Sequence, residues 1–201
     1  MQEGCVLCPR KCGVDRNIQR GARNAPCFPY VAKAALHMWE EPCISGKRGS
    51  GAIFFCGCNL KCVFCQNYDI SNGSVGKMYD AEGIAELMLR LQGKGAHNVN
   101  LVSPAPFVPV LADAIRAAKN RGLSIPVVYN TNSYETLEAL RMLDGLVDIY
   151  LPDLKYVSGN IARKYSGAEN YFEYAAPAIR EMFRQVGLLE LDGDGLANKG
   201  V

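Results

Sequence analysis

The sequence has no apolar run long enough to cross a membrane, and its longest apolar stretches have the length of strands. The net charge is only +2 and the two signs are mixed along the chain, so no basic patch for nucleic acid or lipid stands out. The first residues, Met1 to Cys5, lack the apolar core of a secretory signal. We therefore expect a cytoplasmic protein that binds neither nucleic acid nor membranes.

Cysteine, in contrast, is abundant. The chain of 201 residues has nine cysteines, an odd number, and eight of them lie within the first 62 positions. A disulfide-stabilised protein would spread its cysteines through the fold and would need an oxidising compartment. Thiols grouped at short spacings in a reducing compartment favour metal binding over disulfides.

The order of sequence patterns predicts two regions and a tail. Residues 1–48 combine Cys, Arg, Gly and Pro with weak periodicity, which predicts an irregular, Cys-rich N-terminal segment. From position 49 strands alternate with helices, and the predicted strands are 51–56, 99–102, 125–129 and 147–151. The predicted helices are 80–92, 108–119, 134–143, 158–165 and 171–186, with Asp80 and Ser133 as N-caps of the first and third.

This alternation predicts an α/β fold with a parallel sheet, a partial TIM-barrel-like core over residues 49–187. Four βα units are too few to close a barrel, so we expect an open sheet edge at 147–151. Residues 188–201 are polar and Gly-rich, and they are expected to form either a tail or the start of further units. A shortened chain with this edge open is expected to self-associate.

The most specific motif is Cys58-x3-Cys62-x2-Cys65, which directly follows the first predicted strand. Three thiolates on one tight loop can bind three irons of a four-iron four-sulfur cluster and leave the fourth iron open for chemistry. A zinc knuckle or an electron-transfer cluster is the alternative, but both need a fourth ligand, and residues 66–96 contain neither His nor Cys. Cys56 could serve, although its place on the strand predicts a buried side chain.

The segment Gly57–Asn67 resembles the cluster loop of the radical S-adenosylmethionine (SAM) superfamily, with Phe64 directly before the last cysteine. More narrowly, the chain resembles the branch labelled pyruvate formate-lyase activating enzyme of the PflX type. The residues that carry this second resemblance are 5–13, 39–46, 151–156 and 184–187. It implies a partial barrel of six βα units, about four of them present here, with the site at the carboxyl ends of the strands.

The resemblance implies two cofactors, a four-iron four-sulfur cluster and SAM. The implied activity is reductive cleavage of SAM to methionine and a 5′-deoxyadenosyl radical, which abstracts hydrogen. In activating enzymes that hydrogen comes from a glycine of a partner glycyl radical enzyme, and a flavodoxin or ferredoxin is the reductant. Because fold does not determine substrate, three alternatives stay open: another peptide or small-molecule substrate, a non-catalytic iron–sulfur protein, and an inactive fragment.

Phe64 and Ser103 are two further candidates for contacts with SAM. Phe64 is implied to pack on the adenine, and covering the cluster from water is its alternative role. The second strand ends at Ser103, where activating enzymes have Gly-Gly-Glu for the amino group of SAM. This sequence supplies no carboxylate there, so Ser103 is the candidate contact.

The last two strand ends supply polar and charged candidates. Asn130, Thr131 and Asn132 resemble part of the Asp-Thr-Asn-Gly of activating enzymes and can hydrogen-bond the methionine or ribose of SAM; helix capping is their alternative role. Asp153 and Lys155 match an Asp-x-Lys motif, and alternation places both charges on one side of the strand. Lys155 is expected to pair with the SAM carboxylate and Asp153 to lie near the sulfonium; a solvated strand end is the alternative.

The N-terminal segment contains a second candidate metal site. Its four cysteines are Cys5, Cys8, Cys12 and Cys27. They could bind zinc or a second iron–sulfur cluster, and ordinary thiols are the alternative. Cys43 and Cys56 are expected to be buried thiols.

Overall fold

The computed structural model describes residues 4–21, 25–72 and 75–201. The strands in these residues are β1 (Tyr30–His37), β2 (Ser50–Phe55), β3 (Lys77–Met78), β4 (Val99–Val102), β5 (Val127–Thr131), β6 (Ile149–Pro152), β7 (Glu190–Leu191) and β8 (Ala197–Lys199). The helices are α1 (Pro42–Ser45), α2 (Tyr68–Ser71), α3 (Ala81–Gly93), α4 (Val108–Asn120), α5 (Leu137–Arg141), α6 (Gly159–Ser166) and α7 (Tyr171–Val186). None of these helices combines the length and the apolar character needed to cross a bilayer.

Six strands form one mixed sheet in the order β3-β1-β2-β4-β5-β6. The neighbours β2, β4, β5 and β6 are parallel, whereas β1 is antiparallel to both β2 and β3. Helices α3, α4, α5 and α7 lie between or after the parallel strands along the chain. The predicted α/β fold with a partial, unclosed barrel is therefore confirmed.

The main core lies on the helix face of the sheet. Alternate strand residues such as Ile53, Leu101 and Tyr129 pack there in one buried cluster with residues of α3 and α4. In α3 the buried residues Ile84, Leu87, Met88 and Leu91 form the stripe predicted from the sequence. The carboxylate of Asp80 accepts a hydrogen bond of 2.9 Å from the Gly83 amide, which confirms Asp80 as the N-cap of this helix.

The opposite face of the sheet has a much smaller buried cluster. It comprises Ile44 from α1, Ala197 from β8, and Val128 and Ile149 from the sheet. These contacts cover the sheet near the start of β6. The carboxyl ends of the parallel strands and the loops that follow them therefore meet at one edge, above this small cluster.

Two sequence predictions about local structure were wrong. Strand β1 lies inside the segment predicted to be irregular. The sequence did not predict this strand, because it contains three alanines and a lysine rather than alternating β-branched residues. Pairing with β2 supplies the stabilisation that β1's own residues lack. Ser133 does not cap the third helix: it has a φ of 62°, and the side chain of Thr136 accepts from the Ala139 amide instead.

The edge of the sheet predicted to be open is partly covered by the end of the described chain. Residues 190–199 form the β7–β8 hairpin. The Gly200 amide donates to the Asp148 carbonyl at 3.0 Å, and the Tyr150 amide donates to the Gly200 carbonyl at 3.0 Å. The expectation of a fully exposed strand edge at 147–151 was therefore wrong, because the polar, Gly-rich residues 188–201 fold back onto β6.

Candidate cluster and cofactor site

The loop with the three-cysteine motif begins at the carboxyl end of β2. Gly57 turns the chain there with a φ of 85°, a conformation that glycine adopts without steric cost. The amides of Gly57 and Cys58 donate to the carbonyls of Ile70 and Ser71, each at 3.1 Å, so helix α2 fastens the start of the loop. The three sulfur-bearing residues Cys58, Cys62 and Cys65 are all half-buried.

Two of the three sulfurs accept hydrogen bonds from polar side chains. Asn132 Nδ2 donates to Cys58 Sγ at 3.3 Å, and Ser166 Oγ donates to Cys62 Sγ at 2.9 Å. Hydrogen bonds to a sulfur favour its charged form. Burial has the opposite effect and raises the pKa of Cys58 to about 11. A metal ion bound to the sulfur would offset that cost, because metal ligation deprotonates a thiol.

The three cysteines supply donors for three irons of a cubane cluster. Among residues 4–21, 25–72 and 75–201, no three His, Cys, Asp or Glu side chains converge closely enough to enclose one metal ion. The thiolates of a cubane cluster each bind a different iron, so they stand further apart than the ligands of one zinc ion. With three cysteines as donors, the fourth iron would be open.

Asn59 is a central residue of this site that sequence reasoning missed. It is almost fully buried, and its side chain donates to the Tyr134 carbonyl at 2.5 Å and accepts from Asn132 Nδ2 at 2.9 Å. Its own carbonyl accepts from Arg10 Nε at 2.7 Å. Asn59 thus joins the cysteine loop to the end of β5 and to the N-terminal segment. Its place between two cysteines was the only signal for it in the sequence.

The three polar residues at the end of β5 have different surroundings. Asn130 is half-buried and lies on the sheet face opposite the helices, whereas Thr131 points to the helix side, where its hydroxyl donates to Glu135 Oε1 at 2.7 Å. Asn132 contacts Cys58, as described above, and its Oδ1 accepts from the Tyr134 amide at 2.9 Å. Of the three, Asn132 is the residue that the structure brings to the cysteine loop.

Glu135 is a second residue that the sequence analysis did not select. Its Oε1 accepts hydrogen bonds from Thr131 and from the Tyr129 hydroxyl, the latter at 3.1 Å. Its Oε2 has no hydrogen-bond partner within the described part of the chain. Burial raises the pKa of this carboxyl to about 7. This buried acid lies on the helix side of the end of β5, one of the strand ends expected to bind SAM.

The two charged residues of the motif at the end of β6 form an ion pair with each other. Lys155 Nζ lies 2.5 Å from Asp153 Oδ2, and the Lys155 side chain is the more buried of the two, at 26% against 56% exposed. The Tyr171 hydroxyl lies 2.8 Å from the carbonyls of both Asn132 and Asp153, and it accepts from the Lys155 amide at 3.0 Å. Burial raises the pKa of Tyr171 to about 12, so the hydroxyl stays protonated as a donor.

Phe64 and Ser103 have different surroundings. Phe64 is 56% exposed and its ring meets the ring of Tyr156 edge-on, with 6.5 Å between centroids. Tyr156 in turn shares a hydrogen bond of 2.7 Å with Ser166, the donor to Cys62. Ser103 has a φ of 58°, which non-glycine residues adopt infrequently, and its amide donates to the Asn130 carbonyl at 3.0 Å.

Three of the four N-terminal cysteines line one cavity, but within residues 4–21, 25–72 and 75–201 they do not converge closely enough to enclose a single metal ion. Cys5, Cys8 and Cys12 line one small cavity, while Cys27 lines an adjoining larger cavity of about 790 Å³ together with Cys5. Burial raises the pKa of Cys8 to about 11, and Cys5 and Cys12 contribute to that shift. The loop is closed by two backbone hydrogen bonds between Cys5 and residues 13 and 14.

The remaining two cysteines differ from each other. Cys56 is buried, as predicted, and its thiol donates to the Val75 carbonyl. Cys43 is only half-buried, so its prediction as a buried thiol was wrong. It lies in the short helix α1, which packs on the sheet through its neighbour Ile44.

Comparison with known proteins identifies the superfamily. The family model described as the Radical SAM superfamily matches residues 52–187, which include the cysteine loop and every strand end described above. An uncharacterized protein of Methanocaldococcus jannaschii is 34% identical over 178 residues, a match that covers 85% of this chain and 51% of the relative. The chain thus spans about half the length of that relative. On these matches, the chain belongs to the radical SAM superfamily.

Proposed function

We propose that this chain holds a four-iron four-sulfur cluster through Cys58, Cys62 and Cys65 and binds SAM at the open iron. The observation that carries the proposal is the three-cysteine loop at the carboxyl end of β2, with hydrogen-bond donors from two other elements on two of its sulfurs. Membership of the superfamily implies both cofactors. When bound, the cluster supplies the electron that divides SAM into methionine and a 5′-deoxyadenosyl radical, which abstracts hydrogen.

The chain's own residues would hold and orient these groups. Asn132 and Ser166 donate to the cysteine sulfurs and limit how the loop can move. Phe64, an exposed aromatic residue within the cysteine loop, is proposed to pack on the adenine. Lys155 would exchange part of its contact with Asp153 for the carboxylate of SAM, because both are charge-assisted contacts. Asn130 and Ser103 complete the proposed SAM site.

The finer proposal is that the abstracted hydrogen comes from a glycine of a partner glycyl radical enzyme, with a flavodoxin or ferredoxin type reductant. Its support is the resemblance to the PflX-type branch over the four segments named above. A direct test is to supply the reconstituted chain with SAM, a reductant and a candidate glycyl radical enzyme. A glycyl radical signal in electron paramagnetic resonance is expected, and SAM cleavage without that signal would leave the coarser function and reject this partner.

The cluster itself is tested by metal content. Anaerobic reconstitution should load about four irons per chain on these cysteines, and a variant with Cys58, Cys62 and Cys65 all replaced by Ala should lose them. Cys43→Ala is the matched control, since Cys43 is half-buried and lies outside both cysteine groups. The control should keep the iron and should release 5′-deoxyadenosine from SAM under a strong reductant. A triple variant that kept the same iron and absorption spectrum would refute the assignment.

The N-terminal cysteines are proposed as a second metal site, with zinc and a second cluster as the two candidates. If Cys5, Cys8, Cys12 and Cys27 bind a cluster, total iron should rise to about eight per chain; if they bind zinc, elemental analysis should find about one zinc. Because Cys27 lines the neighbouring cavity, Cys8→Ala is the variant that tests the site most directly. It should remove the second metal and leave the iron of the first cluster in place.

A further inference from the structure

Three segments that are far apart in the sequence meet beside the cysteine loop. The Lys61 amide donates to the Ser166 carbonyl at 3.1 Å, so the loop lies against the last residue of α6. From the N-terminal segment, the guanidinium of Arg10 donates to the carbonyls of Ser166 and Gly167. Each of the three segments has basic residues, so these contacts gather positive charge that is dispersed along the sequence.

The basic residues of these segments share one part of the surface, which we call the basic face. The first is half-buried and the others are exposed, and they are Arg10, Lys11, Lys61, Arg163 and Lys164. A Cβ on Gly167 would lie 3.8 Å from Lys61 Cδ, so the side chain of Lys61 runs along the end of α6. On the same helix, the ammonium of Lys164 lies 5.1 Å from the centre of the Tyr165 ring.

The basic face has an excess of positive charge that the rest of the chain lacks. The acidic residues of segments 4–14, 58–66 and 159–174 are Glu169, 3.6 Å from Arg163, and Glu173. Five basic against two acidic side chains leave an excess of three, whereas the net charge of the whole chain is only +2. Within residues 4–21, 25–72 and 75–201, neither Lys61 nor Lys164 forms an ion pair. Their charges are therefore available to a partner.

The basic face adjoins one of the proposed cluster ligands and an exposed apolar residue. Cys62 is half-buried, and its Sγ accepts from Ser166 Oγ at 2.9 Å. Val63 directly follows it and is 69% exposed. The Val63 amide donates to the Tyr165 carbonyl at 2.9 Å, so this side chain also lies at the end of α6. An apolar centre with a charged rim is the usual composition of a protein interface.

We infer that the basic face and Val63 dock an acidic electron-donor protein of the flavodoxin type, which reduces the cluster from the side of Cys62. The inference rests on the proposed function, because the cluster delivers one electron to each SAM and a donor must return it. The anionic flavin hydroquinone gives up one electron and becomes the neutral semiquinone, and the cluster is reduced by one electron. No bond forms or breaks, and no proton moves.

The position and charge of the face suit an electron donor. Such partners form small, short-lived interfaces, for which complementary charge supplies fast encounter and the correct orientation. Attraction to Lys61 and Lys164 would bring an acidic protein to the segment that contains Cys62, where the electron has the shortest way to a cluster ligand. Nucleic acid is the other polyanion that a basic face attracts, and the experiment includes it.

The test uses the reconstituted 201-residue chain and an acidic flavodoxin as the probe. Calorimetric titration with oxidised flavodoxin measures binding, and the loss of cluster absorbance on mixing with flavodoxin hydroquinone measures reduction. The double variant Lys61→Glu, Lys164→Glu should raise the dissociation constant about tenfold and slow this reduction by a similar factor, because attraction becomes repulsion. Reduction by photoreduced 5-deazariboflavin should stay unchanged, since this small uncharged reductant needs no docking face. Added salt should weaken flavodoxin binding to the unaltered chain.

The matched control is the double variant Lys47→Glu, Lys94→Glu, which changes the net charge equally. Both lysines are exposed and precede β2 and β4, at the opposite end of the parallel strands from the cysteine loop. The control should bind flavodoxin normally.

Four results would overturn the inference: an equal loss in the control, unchanged affinity in the Lys61→Glu, Lys164→Glu variant, tighter binding of duplex RNA than of flavodoxin, and no flavodoxin binding by the unaltered chain. If the deazaflavin neither reduced a cluster nor released 5′-deoxyadenosine from SAM in the unaltered chain, the proposed function would fail and the inference with it. Normal SAM cleavage with the deazaflavin but no flavodoxin binding would refute the docking face alone.

Discussion

At the scale of single residues, the proposed site depends on polar side chains that contact sulfur or hold those that do. Asn132 donates to Cys58 and to Asn59, so one amide group fixes two members of the cysteine loop. Ser166 does the same for Cys62 from a different element. Charge on a cluster ligand is stabilised by such donors, and they also tune reduction potential. The pairing of donors with sulfurs is therefore expected to matter to the proposed cluster in addition to the number of cysteines.

Lys155 is the residue whose proposed contact with SAM can be measured most simply. Lys155→Met should weaken SAM binding by about 2 kcal/mol, the size expected for a partly buried charge-assisted contact. The cluster should be unaffected, since Lys155 contacts none of the three cysteines in any hydrogen bond or ion pair described here. Affinity is measured by titration of the reconstituted protein with SAM.

The control for this experiment is Lys47→Met, which removes an exposed lysine near α1. It should bind SAM normally. If Lys155→Met also bound SAM normally at unchanged iron content, Lys155 would be a partner of Asp153 alone, and its assignment to the cofactor would be lost.

Glu135 makes stability depend on pH in a defined direction. Its carboxyl has an ordinary pKa of 4.5 and a folded-state pKa of about 7, raised by burial. Between these values the folded state keeps a proton that the unfolded state releases, so the free energy of unfolding falls as pH rises. The loss is complete above pH 7 and is on the order of 3 kcal/mol.

Glu135→Gln should remove this loss, because the amide stays neutral at every pH. Urea unfolding at pH 5 and pH 8 measures the difference, and the variant should gain on the unaltered chain mainly at pH 8. Glu138→Gln, on the exposed side of the same segment, is the control and should gain nothing at either pH. An equal gain at both pH values would mean that the carboxylate charge is not the cause.

At the scale of elements, helix α7 organises the ends of two strands. Its first residue, Tyr171, places one hydroxyl against the carbonyls of Asn132 and Asp153 and against the amide of Lys155. The loops after β5 and β6 are thus held at a common point. These loops contain Asn132, Asp153 and Lys155, three of the residues expected to bind SAM, so the helix would act on the proposed cofactor site through them.

Tyr171→Phe should therefore destabilise the fold and loosen the cofactor site together. Removing the hydroxyl leaves buried backbone groups without a partner, which costs about 1–3 kcal/mol. Tyr174→Phe removes a hydroxyl from the same helix at a half-buried position and is the matched control. Stability is measured by urea unfolding and SAM affinity by titration. Normal SAM affinity in a destabilised Tyr171→Phe would show that the hydroxyl supports the helix but not the site.

At the scale of the whole molecule, the two faces of the sheet differ in how much apolar surface is buried against them. The helix face contains the main buried cluster and supplies most of the apolar burial. The opposite face has a small cluster, from Ile44 and Ala197 against the sheet, and the buried polar residue Asn100.

Gly200 should control how well the last strand of the sheet is covered. It has a φ of 120°, and a Cβ at this position would lie 2.5 Å from the Leu188 carbonyl oxygen. Gly200→Ala should therefore displace the tail and expose the edge of β6. Amide hydrogen exchange at Tyr150, whose N–H donates to Gly200, should become faster, and the chain should self-associate more readily.

Gly193→Ala is the control in the same hairpin, because a Cβ there meets no atom within 4 Å. It should leave exchange at Tyr150 unchanged. Exchange at Tyr150 that is equally fast in the unaltered chain and in Gly200→Ala would show that the tail does not protect β6, and the original expectation of an open edge would then describe the protein in solution.

Much of the fold followed from local patterns in the sequence. The strand at 99–102, the stripe of α3 and the Asp80 cap were predicted at their observed places, since hydrophobic period and capping act over a few neighbouring residues. Strand β5 begins two residues later than predicted, at Val127, because Pro126 has no N–H for the ladder. Strand β1 was missed because its pairing partner, not its own composition, makes it a strand.

The sequence by itself determined the superfamily chemistry through the spacing of Cys58, Cys62 and Cys65, because three donors on one short loop are a local feature. Only the tertiary structure decided which side chains surround them. The side chain of Asn59 bonds to a residue more than seventy positions away, whereas Glu135 bonds to residues only a few positions away. No spacing rule predicts either set of partners. Nor does alternation reveal that Asn98 bonds to Ile44 and Ser50, since that depends on what α1 and β2 bring to the same face.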